Sequence, residues 1–300
     1  MMKIFFNVAP RSGPWGGGNL MLLAFHDYIK THKDFRIVSS LDESPDIIFV
    51  LNLTSTDYGC DINSIIRYVE SFPETYVVHR VNECDARKNT DHVDKLISNF
   101  GQWADLTFFV SNWMREYHIE RGWTGSDSCV IYNGVDENHF CKNEKIKNGK
   151  INIVTHHWSD NVMKGFDVYE EIDRLVGDDI TFTYIGRERG TFKNTTVVSP
   201  LYGQDLGREL GRYDLYVSGS RFDPGPNHIL ESLSCEIPTY VHKDGGGAVE
   251  FAGIENTYSD IYELVERVKG NYDTFNTNSI RLDSWEQSVS NYFKEIERLI

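Results

Sequence analysis

Short runs that are apolar at every position alternate along this chain with longer segments of mixed polarity. Ile47-Ile48-Phe49-Val50-Leu51 shows the first pattern: no residue in it offers a face to water. A strand of this kind must be covered on both sides, as it is in a parallel sheet wrapped by helices. Strands are predicted at Lys3–Val8, Phe35–Val38, Asp46–Leu51, Thr75–His79, Leu106–Val110 and Cys129–Tyr132. Helices are predicted between them at Asn19–Thr31, Ile62–Ser71, Asp91–Phe100 and Asn112–Glu120. The alternation resumes with Ile151–Thr155, helix Val162–Leu175, Ile180–Ile185, Asp214–Ser218, helix Asn227–Cys235, Thr239–His242 and helix Asp260–Lys269. Such a series implies right-handed βαβ units in doubly wound sheets.

The polar stretch from Lys142 to Lys150, with Gly149 near its end, reads as a linker. The 300 residues therefore divide into two α/β domains, 1–145 and 146–283, each near the usual domain size. A final amphipathic helix, Ser284–Ile300, carries Trp285, Val289, Phe293, Ile296 and Ile300 near one face. Ligands of such sheets bind outside the carboxyl ends of the strands, here in a cleft between the two domains.

Charge narrows the function. The net charge of −15 argues against a protein that holds nucleic acid through its phosphates. No apolar run approaches the length of a membrane span, which leaves peripheral membrane contact open. The opening Met1–Ala9 reads as a first strand, not a signal peptide. Five cysteines without a C-x-x-C spacing suggest reduced thiols in a cytoplasmic protein and no zinc site.

The most informative segment runs from Ser220 to Pro238, following a buried strand and leading into a helix. Pro226 suits a first helical turn and Asn227 a cap. The free N–H groups of such a helix start favour an anion. Asp223 and Glu231 flank that start with seven residues between them. Two carboxylates so placed suit a ligand with phosphates in the middle and hydroxyl-bearing sugars at both ends. In the first domain, Gly13-Pro14-Trp15-Gly16-Gly17-Gly18-Asn19 joins a strand to a helix, where backbone can approach a phosphate closely. His79-Arg80-Val81-Asn82-Glu83-Cys84-Asp85 leaves a strand at its carboxyl end, where catalytic groups collect.

Asp223-x7-Glu231 resembles the E-x7-E motif of retaining GT-B glycosyltransferases, family 4 in particular. Asn227, Glu231, Ser232, Ser234, Cys235 and Pro238 follow the family's continuation of that motif. Asp223 stands where the first Glu is usual, and Glu236 where a Gly is usual. Asn133-Gly134-Val135-Asp136, Lys164-Gly165-Phe166-Asp167, Tyr184-Ile185-Gly186, Val110-Ser111 and Ser284-Trp285-Glu286 resemble further family elements in the right order. The resemblance covers nearly the whole chain.

The resemblance implies two Rossmann-like domains with a cleft between them, and a closing helix (284–300) returning to the first. It implies that Lys164 binds the donor diphosphate, Glu231 the nucleotide ribose and Asp223 the donor-sugar hydroxyls. Amides around Asn227 and His228 would hold the distal phosphate, with Gly225, Pro226, Gly16, Gly17, Ser159 and Arg187 also on the donor side. His79 would lie against the donor sugar, and Arg80, Glu83 and Asp85 on the acceptor side. Gly246 and Gly247 would approach the donor, with Glu250 a cap. The family often places an Arg before the Lys164 position; here a second cation would come from His156, His157, Arg187 or Arg221.

The expected activity is retaining transfer of a sugar from a nucleotide-sugar to a hydroxyl of a glycan, lipid-linked or small-molecule acceptor. Neither a cofactor nor a metal is expected, because the chain has no Asp-x-Asp pair. The competing readings are a nucleotide-sugar epimerase or other GT-B enzyme, and a decayed module that binds a nucleotide-sugar without turnover.

Overall fold

A computed structural model describes residues 1–13, 15–32, 34–125, 127–270 and 282–300. Pro14 of the glycine loop lies outside the described residues. These residues form two compact units, each built on a parallel six-stranded sheet. The first unit is 1–134 with 285–300, and the second is 135–284.

The first unit runs β1 (Met2–Phe6), α1 (Gly17–Thr31), β2 (Phe35–Val38), β3 (Ile47–Val50), α2 (Ile62–Ser71), β4 (Tyr76–Val81), α3 (Asp85–Lys88), α4 (Val93–Phe100), β5 (Leu106–Phe109), α5 (Asn112–Glu120) and β6 (Asp127–Val130). Its strand order is β2-β1-β3-β4-β5-β6. The second unit runs β7 (Ile151–His157), α6 (Phe166–Leu175), β8 (Ile180–Gly186), β9 (Thr196–Val198), α7 (Gly203–Leu210), β10 (Leu215–Ser218), α8 (Asn227–Ser234), β11 (Thr239–His242), α9 (Gly247–Ala252), β12 (Thr257–Tyr258) and α10 (Ile261–Gly270). Its order is β12-β11-β10-β7-β8-β9. The last helix, α11 (Trp285–Ile296), returns to the first unit.

Parity along the strands sorts the first core. Ile4, Phe6, Phe49, Val78 and Phe108 face α1 and α11, while Phe5, Ile48, Val50 and Val77 face the layer containing α2. Successive strand residues point to opposite faces, so both sets must be apolar when both faces are covered. Phe293 of α11 packs against Phe25 and Tyr28 of α1 at ring-centroid distances of 5.3 and 5.1 Å. The second unit has its own core around Ile153, Tyr169, Phe182, Leu215 and Val217.

The stretch expected to link the domains is part of the second unit. Ile146 N–H donates to Arg212 O at 3.0 Å, the Asn143 amide to Gly207 O at 3.3 Å, and Lys145 Nζ to Tyr213 O. Polar composition marked the segment as exposed, but these hydrogen bonds run from polar groups to backbone carbonyls, which composition does not reveal. The division accordingly falls between Gly134 and Val135, ahead of residue 145. Among the described residues, no helix is long and apolar enough to cross a membrane.

Candidate functional site

In the second unit the strand order reverses direction between β7 and β10, which pair through Leu215–Ile153 and Tyr216–Val154. Loops leaving adjacent strands at such a point diverge to opposite sides and leave a crevice at the carboxyl ends. The loop after β10 carries Asp223, and the turn after β7 carries Lys164.

Lys164 ends a one-turn 3₁₀ helix, Val162–Lys164, whose N-cap Asn161 accepts from Met163 N–H. Gly165 then breaks the predicted continuous helix with φ of 85°, so α6 begins only at Phe166. A Cβ at Gly165 would stand 2.1 Å from Gly219 O, so this close approach, like the left-handed backbone, requires glycine. The turn thereby sits against the loop after β10. Lys164 Nζ donates to Asp223 Oδ2 at 3.0 Å, and Ser220 Oγ to the same oxygen at 3.1 Å. The side chains of Lys164 and Asp223 are only 12% and 9% exposed. A pair this dry is held rigidly, and its charges act through less solvent than surface ions do.

The backbone of Asp223 is clamped as well. Its N–H donates to Gly245 O and its carbonyl accepts from Gly247 N–H, at 3.1 and 2.8 Å. Gly246, at φ 69°, would place a Cβ 2.9 Å from Asp223 N. The glycine run expected to approach a donor thus approaches the Asp223 loop. Phe222 adopts φ of 50°, a strained conformation for a bulky residue, one position before Asp223.

Glu231 lies in the second turn of α8. His156 Nε2 and Glu231 Oε2 are 2.7 Å apart, and His156 Nδ1 lies 3.2 Å from the Tyr216 hydroxyl. His228, also on α8, bonds Ser218 Oγ at 3.0 Å, and its ring lies 6.1 Å from that of His156. Pro226 occupies the N-cap of α8 and offers no side-chain cap, so Asn227 is the first helical residue and not the cap expected. The first turn holds no acid. Its N–H groups carry the positive end of the helix dipole.

The other donor-side residues divide. Gly225 falls in the loop between Asp223 and α8. Ser159 Oγ accepts from Asn161 N–H at 3.2 Å, shaping the turn before Lys164. Arg187 is exposed and its guanidinium lies 5.9 Å from the centre of the Trp158 ring. Arg221 forms two hydrogen bonds to Asp167, at 2.8 and 2.7 Å, so its charge is neutralised there. His157 bonds the buried Tyr169 hydroxyl at 2.6 Å. Of the cations considered to stand beside Lys164, His156 is tied to Glu231 and Arg187 is exposed.

In the first unit His79, Arg80 and Glu83 line one pocket over the carboxyl ends of β3 and β4, and Asp85 is not among its lining residues. β4 extends to Val81, so His79 lies within the strand and faces Phe100, with ring centroids 5.1 Å apart. Burial, with a smaller contribution from His118, lowers its pKa to about 3. It is a buried, neutral histidine, and the pocket that it also lines measures about 220 Å³. Asp85 accepts from Thr90 Oγ1 and from the N–H groups of His92, Val93 and Asp94 at 2.6–3.1 Å. Burial alone would raise its pKa, but these donors outweigh it and hold the carboxyl below its usual range. Asp85 thus secures the start of α4. Glu83 pairs with Lys88 at 2.6 Å on the surface. Arg80 points to the opposite face from His79, towards α11 and the start of α1, where Gly16 is the N-cap and Gly17 the first helical residue.

Ser220 and Tyr216 were missed in the sequence. Ser220 lies in a Gly-Ser-Arg loop with nothing to single it out, and Tyr216 reads as one more apolar strand residue. Among the described residues, no group of three His, Cys, Asp or Glu is placed to hold a metal ion.

No protein-family model matches the sequence, and no curated protein does. Solved structures do. Sucrose-phosphate synthase from Thermosynechococcus elongatus superposes with a TM-score of 0.71 at 11% identity, over 100% of this chain and 99% of that one. The lipopolysaccharide outer core galactosyltransferase WaaB, in its apo form, gives 0.69 at 14% identity over 100% of both chains. Anabaena HepE in complex with UDP and glucose gives 0.68 at 14% identity, over 100% of this chain and 99% of that one. Identities this low establish the fold, two Rossmann-like α/β units of the GT-B type.

Proposed function

We propose that this chain transfers a sugar from a nucleotide-sugar donor to a hydroxyl acceptor, with retention of configuration and without a metal ion. The observation that carries the reading is the pairing of Lys164 with Asp223 and of His156 with Glu231 beside the β7–β10 switch point. HepE, which shares the fold, is described in complex with UDP-glucose, and its likeness supports a nucleotide-sugar donor here.

In this reading Glu231, held by His156, accepts hydrogen bonds from the ribose hydroxyls. Asp223, held by Lys164 and Ser220, does the same for the donor sugar. Lys164 and the N–H groups at the start of α8 face the diphosphate. The bond from the anomeric carbon to the phosphate oxygen breaks while the acceptor oxygen attacks the same face. The acceptor's proton passes to the departing phosphate oxygen, so charge on the diphosphate peaks near the transition state. Fixed cations and dipoles act most strongly there, because they need no reorganisation as charge develops. A chain without Asp-x-Asp then relies on Lys164 and the helix start in place of a divalent ion. The acceptor belongs to glycan or glycoconjugate synthesis.

The test is incubation of the full chain with a panel of nucleotide-sugars and hydroxyl acceptors. The proton NMR coupling at the anomeric position of the product is then compared with that of the donor. The same configuration, formed equally well in excess EDTA, is expected. An inverted product would overturn retention, and loss of activity in EDTA restored by manganese would overturn metal independence. Hydrolysis or epimerisation with no transfer would favour another GT-B activity.

A further inference from the structure

The turn that carries Lys164 and the loop that carries Asp223 meet backbone to backbone. A Cβ at Gly165 would lie 2.1 Å from Gly219 O, and one at Gly219 would lie 2.9 Å from Gly165 O and 3.0 Å from Val168 Cβ. At that contact no side chain interlocks to stop one backbone sliding past the other. Register across the seam therefore depends on the polar ties on either side of it.

Arg221 supplies two of those ties. Its backbone N–H donates to Met163 O at 2.8 Å. Its Nη1 and Nη2 donate to Asp167 Oδ1 and Oδ2 at 2.8 and 2.7 Å. Arg221 thus grips the other chain segment on both sides of Lys164 and Gly165. Two parallel bonds match a planar fork to a planar carboxylate, which fixes direction as well as distance. Asp167 is the second residue of α6, where the positive end of the helix dipole favours its charge. The hydrogen bond from Arg221 holds its carboxyl below the usual range despite partial burial. The side chains of Arg221 and Asp167 are 24% and 62% exposed, and an ion pair this wet contributes little to stability.

We propose that Arg221 and Asp167 are positioning residues for the transfer, a clasp that sets the separation of Lys164 and Asp223 from outside the pair itself. The clasp rests on the transferase reading for its effect on turnover, and on the fold alone for its effect on the seam. In that reading Lys164 turns to the diphosphate and Asp223 to the sugar, so their own bond loosens when a donor enters. The Arg221–Asp167 pair needs no new partner then, and it keeps the two segments in register while charge develops. A displacement of about 1 Å caused far from the chemistry can cost on the order of a hundredfold in rate. The competing role for Arg221 is direct contact with the diphosphate. The two roles predict opposite outcomes at Asp167: releasing the guanidinium helps a phosphate contact and harms a clasp.

The test compares the full-length wild type, Arg221→Met, Asp167→Asn and the double variant. Their kcat and KM are measured beside amide hydrogen exchange across residues 162–167 and 219–223. Each single substitution should lower kcat about ten- to a hundredfold and leave the donor KM within about threefold. Each should also speed exchange of the Arg221 N–H. The double variant should lose no more than the worse single one, because the two residues act as one unit. Melting temperatures should fall by about 2–4 °C at most, which a loss of folded protein could not reconcile with such a drop in kcat. Near-normal turnover in either single variant, or losses that multiply in the double one, would overturn the clasp. So would Asp167→Asn turning over faster than the wild type, which would make Arg221 a phosphate contact. A wild type that transfers sugar to no acceptor would sink the transferase reading. The exchange of the Arg221 N–H then decides alone: faster in both single variants sustains the clasp, and unchanged overturns it.

Discussion

The two units share a parallel six-stranded sheet but treat the point where their strand order turns quite differently. In the first unit that point lies between β1 and β3, and Asn7 closes it. Its Oδ1 accepts from Leu51 N–H at 2.8 Å and its Nδ2 donates to Asn52 O at 2.7 Å. In the second unit the point lies between β7 and β10, and there the turn after β7 and the loop after β10 supply a Lys164–Asp223 pair, while β7 and α8 supply a His156–Glu231 pair. One asparagine amide satisfies loose backbone groups; two acids, each already held by a cation or an imidazole, can receive hydroxyls. The layered architecture creates a crevice in both sheets, and the side chains that end the strands decide whether chemistry is placed there.

The units also differ in how they are completed, and the largest predicted effect follows from that. The first unit needs α11, whose Phe293 is 2% exposed and packs on Phe25, Tyr28 and Phe35. Phe293→Ala should cost about 3–5 kcal/mol of that unit's stability through the lost burial and the cavity. Denaturant unfolding followed by hydrogen exchange would show the loss in residues 1–134 and 285–300 and leave the second unit's protection intact. Equal loss in both units would remove the distinction between them.

Next in size is Lys164→Ala, which removes a preorganised cation from the second unit's switch point. It should lower turnover by about 3–4 kcal/mol, or roughly a hundred- to a thousandfold, and change substrate affinity much less. Near-normal turnover would mean that Lys164 only neutralises Asp223. His79 is a buried polar residue of the first unit. Its pKa is depressed to about 3 in the folded chain and returns to the ordinary range on unfolding. The unfolded chain therefore binds the extra proton between those values, and stability falls as pH drops from about 6.5 towards 3. This residue contributes a slope of about 1.4 kcal/mol per pH unit. His79→Leu should flatten the acid limb of the stability curve by that amount; an unchanged limb would show that His79 titrates normally.

The smallest effect concerns Glu236, which stands where the family resemblance has glycine. It adopts φ of 54° and pairs with Lys142 at 3.1 Å on the surface. The left-handed backbone explains the glycine and costs more than the exposed pair returns. Glu236→Gly should raise stability by about 1 kcal/mol, readable in the urea midpoint. A loss of stability would show that the ion pair outweighs the strain.

Much of the fold was legible because apolar runs on a covered parallel sheet carry a strong signal. Phe35–Val38, Ile62–Ser71, Asn112–Glu120 and Thr239–His242 lie at the predicted bounds. The elements missed were short or polar. Thr196–Val198 is an edge strand of three residues, and helix Gly203–Leu210 opens with Gly, Gln and Asp. The pairing of Lys164 with Asp223, 59 residues apart, depends on Gly165 meeting Gly219, a contact between backbones that no local pattern encodes. The strand carrying His79 was predicted to end at that residue but runs on to Val81, and parity with its neighbours gave the face on which His79 lies. Val78 and Arg80 share the face towards α1 and α11, so His79 had to face the other core.

The central claim is that the second unit's two acids serve the two ends of a nucleotide-sugar. Calorimetric titration of the wild type, Glu231→Gln and Asp223→Asn with a nucleoside diphosphate, then with the matching nucleotide-sugar, tests it most directly. Glu231→Gln should weaken both ligands, because the ribose is common to both. Asp223→Asn should leave the bare nucleotide bound as in the wild type and weaken only the ligand that carries the sugar. Equal weakening of the bare nucleotide by both substitutions would contradict the account.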